Sequence, residues 1–455
     1  MSLIQMNEKD DCTLGKLRNL YKTLKIDCYL VPLTDPHDSE YVLESDQRVK
    51  FISGFSGSSA FIIIGTDKVS FFTDGRYTIQ AKQELPSDWE LANQGLIDFM
   101  SKCNIKINFS EDIVQNIKSV KTDKEIELSL LYHARDSLAI STTLCYVTKW
   151  YESVSANQIE SDTNFSFELL DEEDVCKLLA DQRLNKLGAD GLSFETISGF
   201  NENSAIVHYR INEKTTKKFA NDGVLLVDSG AHYSGVVTTD CTRTIYLGTP
   251  PDEVIRHYTY TLAAHINLAN IVFPNNKLSG SQLDTVCRAE LWKRGLDFNH
   301  STGHGVGSGT VVHESPPGIC YLSQYKAKPT YFVNHMVVSN EPGLYFPEKY
   351  GIRLENVQYS ILQKNQIENE DQVHYLCFKQ LTMVPYCRKL IDPSLLTKEQ
   401  LDWLNSYHKE VYEKLAKLCV HLPDYSLSYS NKCDLQLSIG NFLGWLRSET
   451  KPFVC

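Results

Sequence analysis

The sequence predicts a mixed α/β (α+β) protein with more than one domain. Three patterns support this prediction. Helical and strand patterns alternate over residues 1–115, strand patterns dominate residues 196–250, and apolar residues from Thr397 onward recur at helical spacing. A chain of 455 residues, 42% of them hydrophobic, is long enough for about two to four domains with substantial cores. We therefore expect an α/β unit first, a β-rich body next and helices at the end.

The first unit is predicted to combine a helix with several short strands. Residues 17–32, "LRNLYKTLKIDCYLVP", indicate a helix followed by a strand. Residues 59–77, "SAFIIIGTDKVSFFTDGRY", indicate two strands joined at Gly65-Thr66-Asp67, because β-branched and aromatic residues flank a turn sequence.

The rest of the chain is predicted to begin with one long helix. Thr122 followed by Glu125 forms a capping box at its start. Residues 153–175 are polar and acidic, which favours a loop that leads into another helix. Residues 223–248 predict a hairpin, and residues 251–296 predict a helical stretch. The C-terminal helix is expected to bury one face, made of Leu401, Leu404, His408, Val411, Leu415 and Leu418.

Charge and composition exclude several classes of partner. Lys and Arg number 45 against 57 Asp and Glu, so the net charge of −12 makes nucleic acid an unexpected partner. No run of 18 apolar residues is present, and the charged start is not typical of a signal peptide, so we expect no membrane association. The 13 cysteines contain no CxxC pair, which favours reduced thiols and a cytoplasmic protein.

One glycine-rich stretch concentrates histidines. Residues 300–315, "HSTGHGVGSGTVVHES", contain His300, His304 and His313. Histidine is a common neutral metal ligand and proton shuttle, and glycine lets the backbone approach a ligand. A phosphate-binding loop is an alternative, but the lysine of a P-loop is missing. The stretch therefore indicates a metal or an anion close to the main chain.

Four carboxylates lie beside predicted strands and turns: Asp228, Asp240, Glu341 and Glu355. Each alone is compatible with ordinary turn chemistry. Together with His304 they form a set of hard ligands that suits Mn²⁺ or a similar ion better than structural zinc. Two divalent cations would offset the repulsion among four carboxylates and would ionise water near neutral pH, giving a nucleophile for a carbonyl carbon.

The order Asp, Asp, His, Glu, Glu resembles that of the pita-bread metallopeptidases, and within them the eukaryotic cytosolic type of aminopeptidase P (Xaa-Pro aminopeptidase). The segments that carry this resemblance are "VDSGAHY", "TTDCT", "STGHGVG", "SNEPG" and "RLENV". "FISGFSGSSAFIIIG" resembles that family's creatinase-like N-terminal domain, and "LTKEQLDWLNSYHKEVYEKL" resembles its helical C-terminal extension. The second α/β domain of three-domain relatives is missing.

The resemblance implies three domains: a creatinase-like α/β domain over residues 1–118, a pita-bread catalytic domain over 119–385 and a helical extension over 386–455. It also implies removal of the N-terminal residue from peptides with proline second, by attack of a hydroxide that bridges two divalent metals, most naturally Mn²⁺. Alternatives are a prolidase that cleaves Xaa-Pro dipeptides and a catalytically silent binding protein. Peptides are the implied partners, and a homodimer is an open alternative.

The resemblance also assigns roles to individual residues. Two overlapping sets hold the metals: one contains Asp228, Asp240 and Glu355, and the other contains Asp240, His304, Glu341 and Glu355. Glu341 is the implied general base. His208 and His313 are implied to contact substrate, His300 to hold substrate or support the metal shell, and Arg353 to orient the carboxylates.

Overall fold

The structure is a computed structural model. It describes residues 18, 28–34, 48–65, 68–92, 117–160, 169–309, 311–321, 330–363, 374–421, 427–428 and 436–454. The chain forms two compact units, residues 1–109 and 110–455.

The first unit contains a four-stranded sheet. Its strands are β1 (Cys28–Pro32), β2 (Phe61–Gly65), β3 (Val69–Phe72) and β4 (Glu90–Ala92), in the order β1-β2-β3-β4, and its helices are α1 (Arg48–Ser53) and α2 (Thr78–Glu84). β2 and β3 pair antiparallel, which confirms the two predicted strands, while Thr66 and Asp67 lie outside the described residues. The predicted helix before β1 also lies almost wholly outside them. Apolar side chains such as Ile62, Ile64 and Phe71 form the core of this unit.

The second unit contains the remaining helices. They are α3 (Asp123–Glu160), α4 (Glu172–Ala180) with a π-helical turn over Asp181–Lys186, α5 (Asp252–Ala269), α6 (Gly280–Trp292), α7 (Lys398–His421) and α8 (Ile439–Glu449). The capping box of α3 is confirmed: the backbone N–H of Thr122 donates to Glu125 Oε2 at 2.8 Å, and the Glu125 N–H donates to Thr122 Oγ1 at 3.3 Å.

Two predictions about these helices were partly wrong. The loop expected from residue 153 was wrong over its first residues, because α3 continues to Glu160, and residues 161–168 lie outside the described residues. Tyr151 and Val154 are buried in the core, so packing maintains the helix through a polar sequence. The helical stretch expected over residues 251–296 is two helices separated by a short strand, Val272–Pro274.

The strands of the second unit form several sheets. They are β5 (Gly191–Leu192), β6 (Ile197–Phe200), β7 (Gly223–Ser229), β8 (Ala231–Tyr233), β9 (Val237–Thr238), β10 (Cys241–Leu247), β11 (Val272–Pro274), β12 (Gly303–Gly305), β13 (Glu314–Ile319), β14 (Val337–Asn340), β15 (Gly343–Phe346), β16 (Tyr350–Arg353), β17 (Asn356–Leu362), β18 (Tyr375–Gln380), β19 (Leu427–Ser428) and β20 (Gln436–Leu437). The largest sheet has the order β11-β18-β17-β14-β12-β13, and a second has the order β10-β7-β6. β5-β8-β9, β15-β16 and β19-β20 form smaller sheets.

The C-terminal helices pack on the same core as the strands β7 and β10. The predicted face of α7 is confirmed: Leu401, Leu404, His408, Val411 and Leu415 are buried, and Leu418 is half-buried against the core. The predicted domain boundaries at 118/119 and 385/386 stay predictions. None of the helices in the described part of the chain has both the length and the apolar character needed to cross a lipid bilayer.

Candidate metal centre and active site

Two pairs of strands carry the four carboxylates. Asp228 lies near the end of β7 and Asp240 immediately precedes β10, and these strands pair antiparallel with Asp228 opposite Thr242. Glu341 follows β14, and Glu355 lies between β16 and β17. The β7–β10 pairing confirms the predicted hairpin, although β8 and β9 occupy its connection.

His304 on β12 brings these carboxylates together. Its Nε2 lies 3.3 Å from Asp240 Oδ2 and 3.4 Å from Glu341 Oε1. One donor atom from each of Asp240, His304 and Glu355 lies within 4.8 Å of the others. Four of the five predicted metal ligands are therefore neighbours, and Asp228 is linked to Glu355 through hydrogen bonds of Arg353 and Thr242.

The hydrogen bonding of His304 fits a cation at this point. Nδ1 lies 2.9 Å from the carbonyl oxygen of Gly305. A carbonyl only accepts, so Nδ1 carries a hydrogen and Nε2 is the ring nitrogen that faces the oxygens of Asp240 and Glu341. A positive charge at this point, whether a proton on Nε2 or a metal ion, attracts both carboxylates.

Asp228 offers a further free ligand atom. Its Oδ2 accepts a hydrogen bond of 2.6 Å from Arg353 Nη2. Its Oδ1 is buried and has no hydrogen-bond partner in the described part of the chain. Buried polar atoms normally have a partner, so this oxygen is suited to ligate a hard cation.

The buried carboxyl groups are electrostatically unfavourable without cations. Burial raises the pKa of the Glu341 carboxyl, a shift that His304 and Arg353 oppose. Burial, followed by the carboxylates of Asp240, Glu341 and Asp228, raises the pKa of Glu355 well above its usual range. Divalent ions would remove this penalty and keep the carboxylates ionised near neutral pH.

Hydroxyl groups orient the same carboxylates. Thr242 Oγ1 donates to Glu355 Oε2 at 2.7 Å, and Ser339 Oγ donates to Glu341 Oε1 at 3.1 Å. Ser339 Oγ also accepts from the backbone N–H of His304 at 2.9 Å, so it joins the metal-ligand candidates on β12 and after β14. Sequence analysis did not identify either hydroxyl.

A chain of hydrogen bonds links Asp228 to His300. Arg353 Nη1 donates to the Tyr345 hydroxyl at 3.0 Å, and that hydroxyl lies 2.8 Å from His300 Nε2. His300 Nδ1 donates to the Ser301 carbonyl at 2.8 Å, so Nε2 accepts from Tyr345. Burial raises the pKa of Tyr345 to about 12, which keeps this donor protonated. Both nitrogens of His300 are thus engaged within the protein, which favours support of the metal shell over contact with substrate.

Tyr345 was missed by sequence analysis. It lies on β15, which pairs with β16 so that Gly343 faces Arg353. A Cβ at Gly343 would lie 2.5 Å from the Tyr345 hydroxyl, so the glycine leaves space for the ring. The only available signal was the pairing of "GLYF" with "YGIR" across a turn.

Arg243 holds the main chain behind Glu355. This fully buried guanidinium donates to the carbonyls of Thr242 (2.9 Å) and Glu355 (2.6 Å) and to the Tyr407 hydroxyl of α7 (3.1 Å). Its remaining acceptors are Asn356 Oδ1, Val384 O and Pro385 O. All of these acceptors are neutral oxygens, and they link the metal-ligand strands to the C-terminal helix.

His313 and His208 have different positions relative to this cluster. The His313 ring lies perpendicular to that of His304, with centroids 4.3 Å apart, so it borders the candidate metal centre. His208 lies between buried Val207 and Tyr209 in the segment that follows the 3₁₀ helix Asn201–Ala205. Its contact with substrate stays a prediction.

Glu172 at the start of α4 organises the segment around His208. Its carboxylate accepts hydrogen bonds from the N–H groups of Phe200 (2.6 Å) and Lys217 (2.9 Å), from Asn203 Nδ2 (2.9 Å) and from the Tyr209 hydroxyl (3.0 Å). Burial raises the pKa of Glu172, although these hydrogen bonds oppose the shift.

The glycines of the histidine stretch serve close packing of protein backbone. A Cβ at Gly303 would lie 2.0 Å from the carbonyl oxygen of Ser339 on β14. Gly309 has φ +66° and would place a Cβ 2.2 Å from the carbonyl oxygen of Gly235. Glycine is therefore required where strands carrying the site approach one another, rather than for approach to a ligand alone.

Comparison with known proteins identifies the family. Residues 149–359 match the family model of metallopeptidase family M24, residues 374–453 match the C-terminal region of peptidase M24, and residues 14–120 match the creatinase/prolidase N-terminal domain. A probable Xaa-Pro aminopeptidase P from Botryotinia fuckeliana is 30% identical over 590 residues, covering 88% of this chain and 89% of the relative. This chain belongs to metallopeptidase family M24. The predicted fold, a creatinase-like domain followed by a pita-bread domain, is confirmed.

A sequence match and a structure match from one worm species extend the comparison. A Xaa-Pro aminopeptidase of Caenorhabditis elegans is 42% identical over 316 residues, which cover 67% of this chain and 47% of that relative. The crystal structure of an X-prolyl aminopeptidase from the same organism, described as a cytosolic enzyme with a di-nuclear active site, has a TM-score of 0.81 and 25% identity. That match covers 97% of this chain and 99% of the crystallised chain.

The chain is shorter than its aminopeptidase relatives. It aligns with about half the length of the worm relative (47%). The alignment with the fungal relative runs over 590 positions and covers 88% of this chain, about 400 residues, so about 190 positions (590 − 400) have no residue in this chain. This difference agrees with the absence of a middle domain.

Proposed function

We propose that this M24 protein is a dinuclear-metal aminopeptidase that removes the N-terminal residue from peptides with proline in the second position. One observation carries the proposal: His304 Nε2 faces oxygens of Asp240 and Glu341 at 3.3 and 3.4 Å, and Glu355 offers a ligand atom in the same cluster. Ligands arranged in this way suit a divalent cation, and the additional carboxylates are enough for two.

The proposed metal ligands are Asp228, Asp240 and Glu355 for one ion, and Asp240, His304, Glu341 and Glu355 for the other. When bound, two such ions polarise the scissile carbonyl and ionise water near neutral pH. Oxygen-rich ligands favour Mn²⁺ as the native metal.

The protein residues have separate roles in this proposal. Glu341, oriented by Ser339, accepts the proton lost by the attacking water. Arg353 orients Asp228 through the bond between Nη2 and Oδ2. His313, next to His304, stabilises the tetrahedral intermediate, and His208 contacts substrate near the scissile bond.

The relatives support a proposed substrate class and compartment. The peptide bond before proline is tertiary and restricted in conformation, so a pocket shaped for the pyrrolidine ring gives selectivity. Relatives are named for Xaa-Pro cleavage, and the worm structure is described as a cytosolic enzyme. We extend both properties to this chain and propose that it acts in the cytoplasm, with a homodimer as an open alternative.

The test is cleavage of Arg-Pro-Pro by protein loaded with Mn²⁺, compared with cleavage of an Xaa-Pro dipeptide. Release of arginine from the tripeptide is expected, and Glu341→Gln should abolish it while the protein stays folded. Glu127→Gln, at an exposed glutamate on α3, is the control and should retain activity. Cleavage of the dipeptide alone would indicate a prolidase, and cleavage of neither by metal-loaded protein would indicate a binding protein.

A further inference from the structure

One buried ion pair on α6 contacts both ends of the segment that carries three of the site histidines. We name residues 298–321 the histidine segment. Asp284 and Arg288 are fully buried, and Arg288 Nε lies 3.0 and 2.9 Å from the two carboxylate oxygens of Asp284. The pair is separated by one helical turn, so a single rigid element presents both charges.

Arg288 holds the first end of the histidine segment. Its Nη1 donates to the carbonyl of Phe298 and its Nη2 to the carbonyl of His300, both at 2.6 Å. The guanidinium also stacks on the Phe298 ring, with 3.8 Å from Cζ to the ring centroid. The backbone position of His300 is therefore set by Arg288.

The same pair holds the last residue of the histidine segment. The backbone N–H of Tyr321 donates to Asp284 Oδ2 at 3.2 Å. The centroid of the Tyr321 ring lies 4.7 Å from Arg288 Cζ, so this ring also stacks on the guanidinium. One guanidinium thus contacts an aromatic ring from each end, Phe298 and Tyr321.

Between these ends, the histidine segment is held at its base. Gly303 on β12 pairs with Ile319 on β13, and α6 begins directly against β13. A Cβ at Gly280 would lie 1.7 Å from the carbonyl oxygen of Gly318. His304 follows Gly303 directly, so its distance from the metal-binding carboxylates depends on how α6 holds this base.

The electrostatics of the pair favour a role beyond simple stabilisation. Burial raises the pKa of Asp284, a shift that Arg288 opposes. Burying both charges carries a desolvation penalty that an apolar pair would avoid, so such a pair is weak evidence for stability alone. The directional contacts with both ends of the histidine segment provide a different reason for keeping it.

We propose that Asp284 and Arg288 are positioning residues that clasp the two ends of the histidine segment and thereby align His304 and His300 with the metal centre. The proposal rests on the proposed function, because it concerns alignment of that metal centre. Neither residue contacts the carboxylates of the centre in the described structure; they act through the main chain of the segment.

The test is Arg288→Lys, which keeps the charge but cannot donate to Asp284 and two carbonyls at once. Arg294→Lys is the matched control. Arg294 also pairs with an acid four residues earlier, Glu290 (2.6 Å), and also stacks on an aromatic ring, that of Tyr260 (4.2 Å). Its partners lie outside the histidine segment.

Two measurements test whether Asp284 and Arg288 position the histidine segment: metal affinity and the kinetics of peptide cleavage. Isothermal titration with Mn²⁺ should show an affinity of Arg288→Lys at least about tenfold weaker for one of the two ions. Hydrolysis of Arg-Pro-Pro should show kcat lowered by about tenfold or more with little change in KM, because the proposed role of Arg288 involves no contact with bound substrate. Arg294→Lys should match the wild type in both measurements, even if its melting temperature falls.

Two results would contradict the proposed positioning role. One is a metal affinity and a kcat of Arg288→Lys equal to those of the wild type, and the other is a loss in Arg294→Lys equal to the loss in Arg288→Lys. If Arg288→Lys does not fold, Tyr321→Leu removes one stacking contact at a partly exposed ring and should give a smaller loss in the same direction; no loss would overturn the clasp. A wild-type protein that binds Mn²⁺ but cleaves neither peptide would contradict the proposed function alone, because titration still compares the variants.

Discussion

Gly303→Ala should move the strand that carries His304 away from the metal-binding carboxylates. The added Cβ would lie 2.0 Å from the Ser339 carbonyl oxygen on β14. Both atoms belong to rigid paired backbone, so no flexible side chain can move aside. Ser339 also contacts the His304 N–H and Glu341 Oε1 through its hydroxyl, so a displacement reaches both groups.

The size of the effect follows from the distances. Non-bonded heavy atoms need about 3.5 Å, so the two strands must separate by roughly 1.5 Å. His304 Nε2 would then leave its positions 3.3 Å from Asp240 and 3.4 Å from Glu341. A displacement of about 1 Å in a catalytic constellation lowers the rate by about 100-fold, and overpacking a core costs about 1–3 kcal/mol of stability.

The assay is kcat/KM for Arg-Pro-Pro with Mn²⁺, together with thermal unfolding. Gly318→Ala is the control, because Gly318 lies on the neighbouring strand β13 and a Cβ there meets nothing within 4 Å. We expect Gly303→Ala to lose about 100-fold in kcat/KM and Gly318→Ala to retain activity. Equal activity and equal melting temperature in the two variants would refute the reasoning.

Three further results are expected. Glu172→Gln should raise KM severalfold with unchanged Mn²⁺ affinity, since an amide cannot accept every hydrogen bond that holds the segment around His208; weakened metal binding would contradict this. Tyr345→Phe should lower kcat by about tenfold with KM retained, because it removes the hydroxyl between a site histidine and a site arginine; a kcat equal to that of wild type would contradict it. The raised pKa values of Glu341 and Glu355 mean that the metal-free folded chain binds protons more tightly than the unfolded chain, so acidification stabilises it and competes with metal. The rise in melting temperature caused by Mn²⁺ should therefore be larger near pH 7.5 than near pH 5.5, and equal rises would contradict the assignment of these carboxylates.

The sequence allowed prediction of those features that depend on periodicity and on residue order. The capping box at Thr122, the buried face of α7 and the antiparallel pairing of β7 with β10 all follow from local patterns, and all are confirmed. The neighbourhood of His304, Asp240 and Glu341 was predicted from their order along the chain, while their roles stay predictions.

Other features depend on contacts between distant residues. Tyr345 joins the site only because of the β15–β16 register and the space at Gly343. Apart from the carbonyl of Thr242, the neutral acceptors of Arg243 come from segments more than a hundred residues away, such as Glu355 and Val384. The extension of α3 to Glu160 depends on burial of its side chains in the core. No local pattern contains this information.

The contacts of Arg243 have a consequence for biosynthesis. Its guanidinium reaches forward from β10 to the carbonyl of Glu355 and to the Tyr407 hydroxyl of α7. A ribosome that has translated only as far as Glu355 has made every metal ligand, yet the buried cation still lacks its acceptor on α7. A buried charge that lacks part of its hydrogen-bonding partners is strongly destabilising. The strands that carry Asp240 and Glu355 therefore obtain the full set of hydrogen-bond acceptors for Arg243 only after α7 has been synthesised.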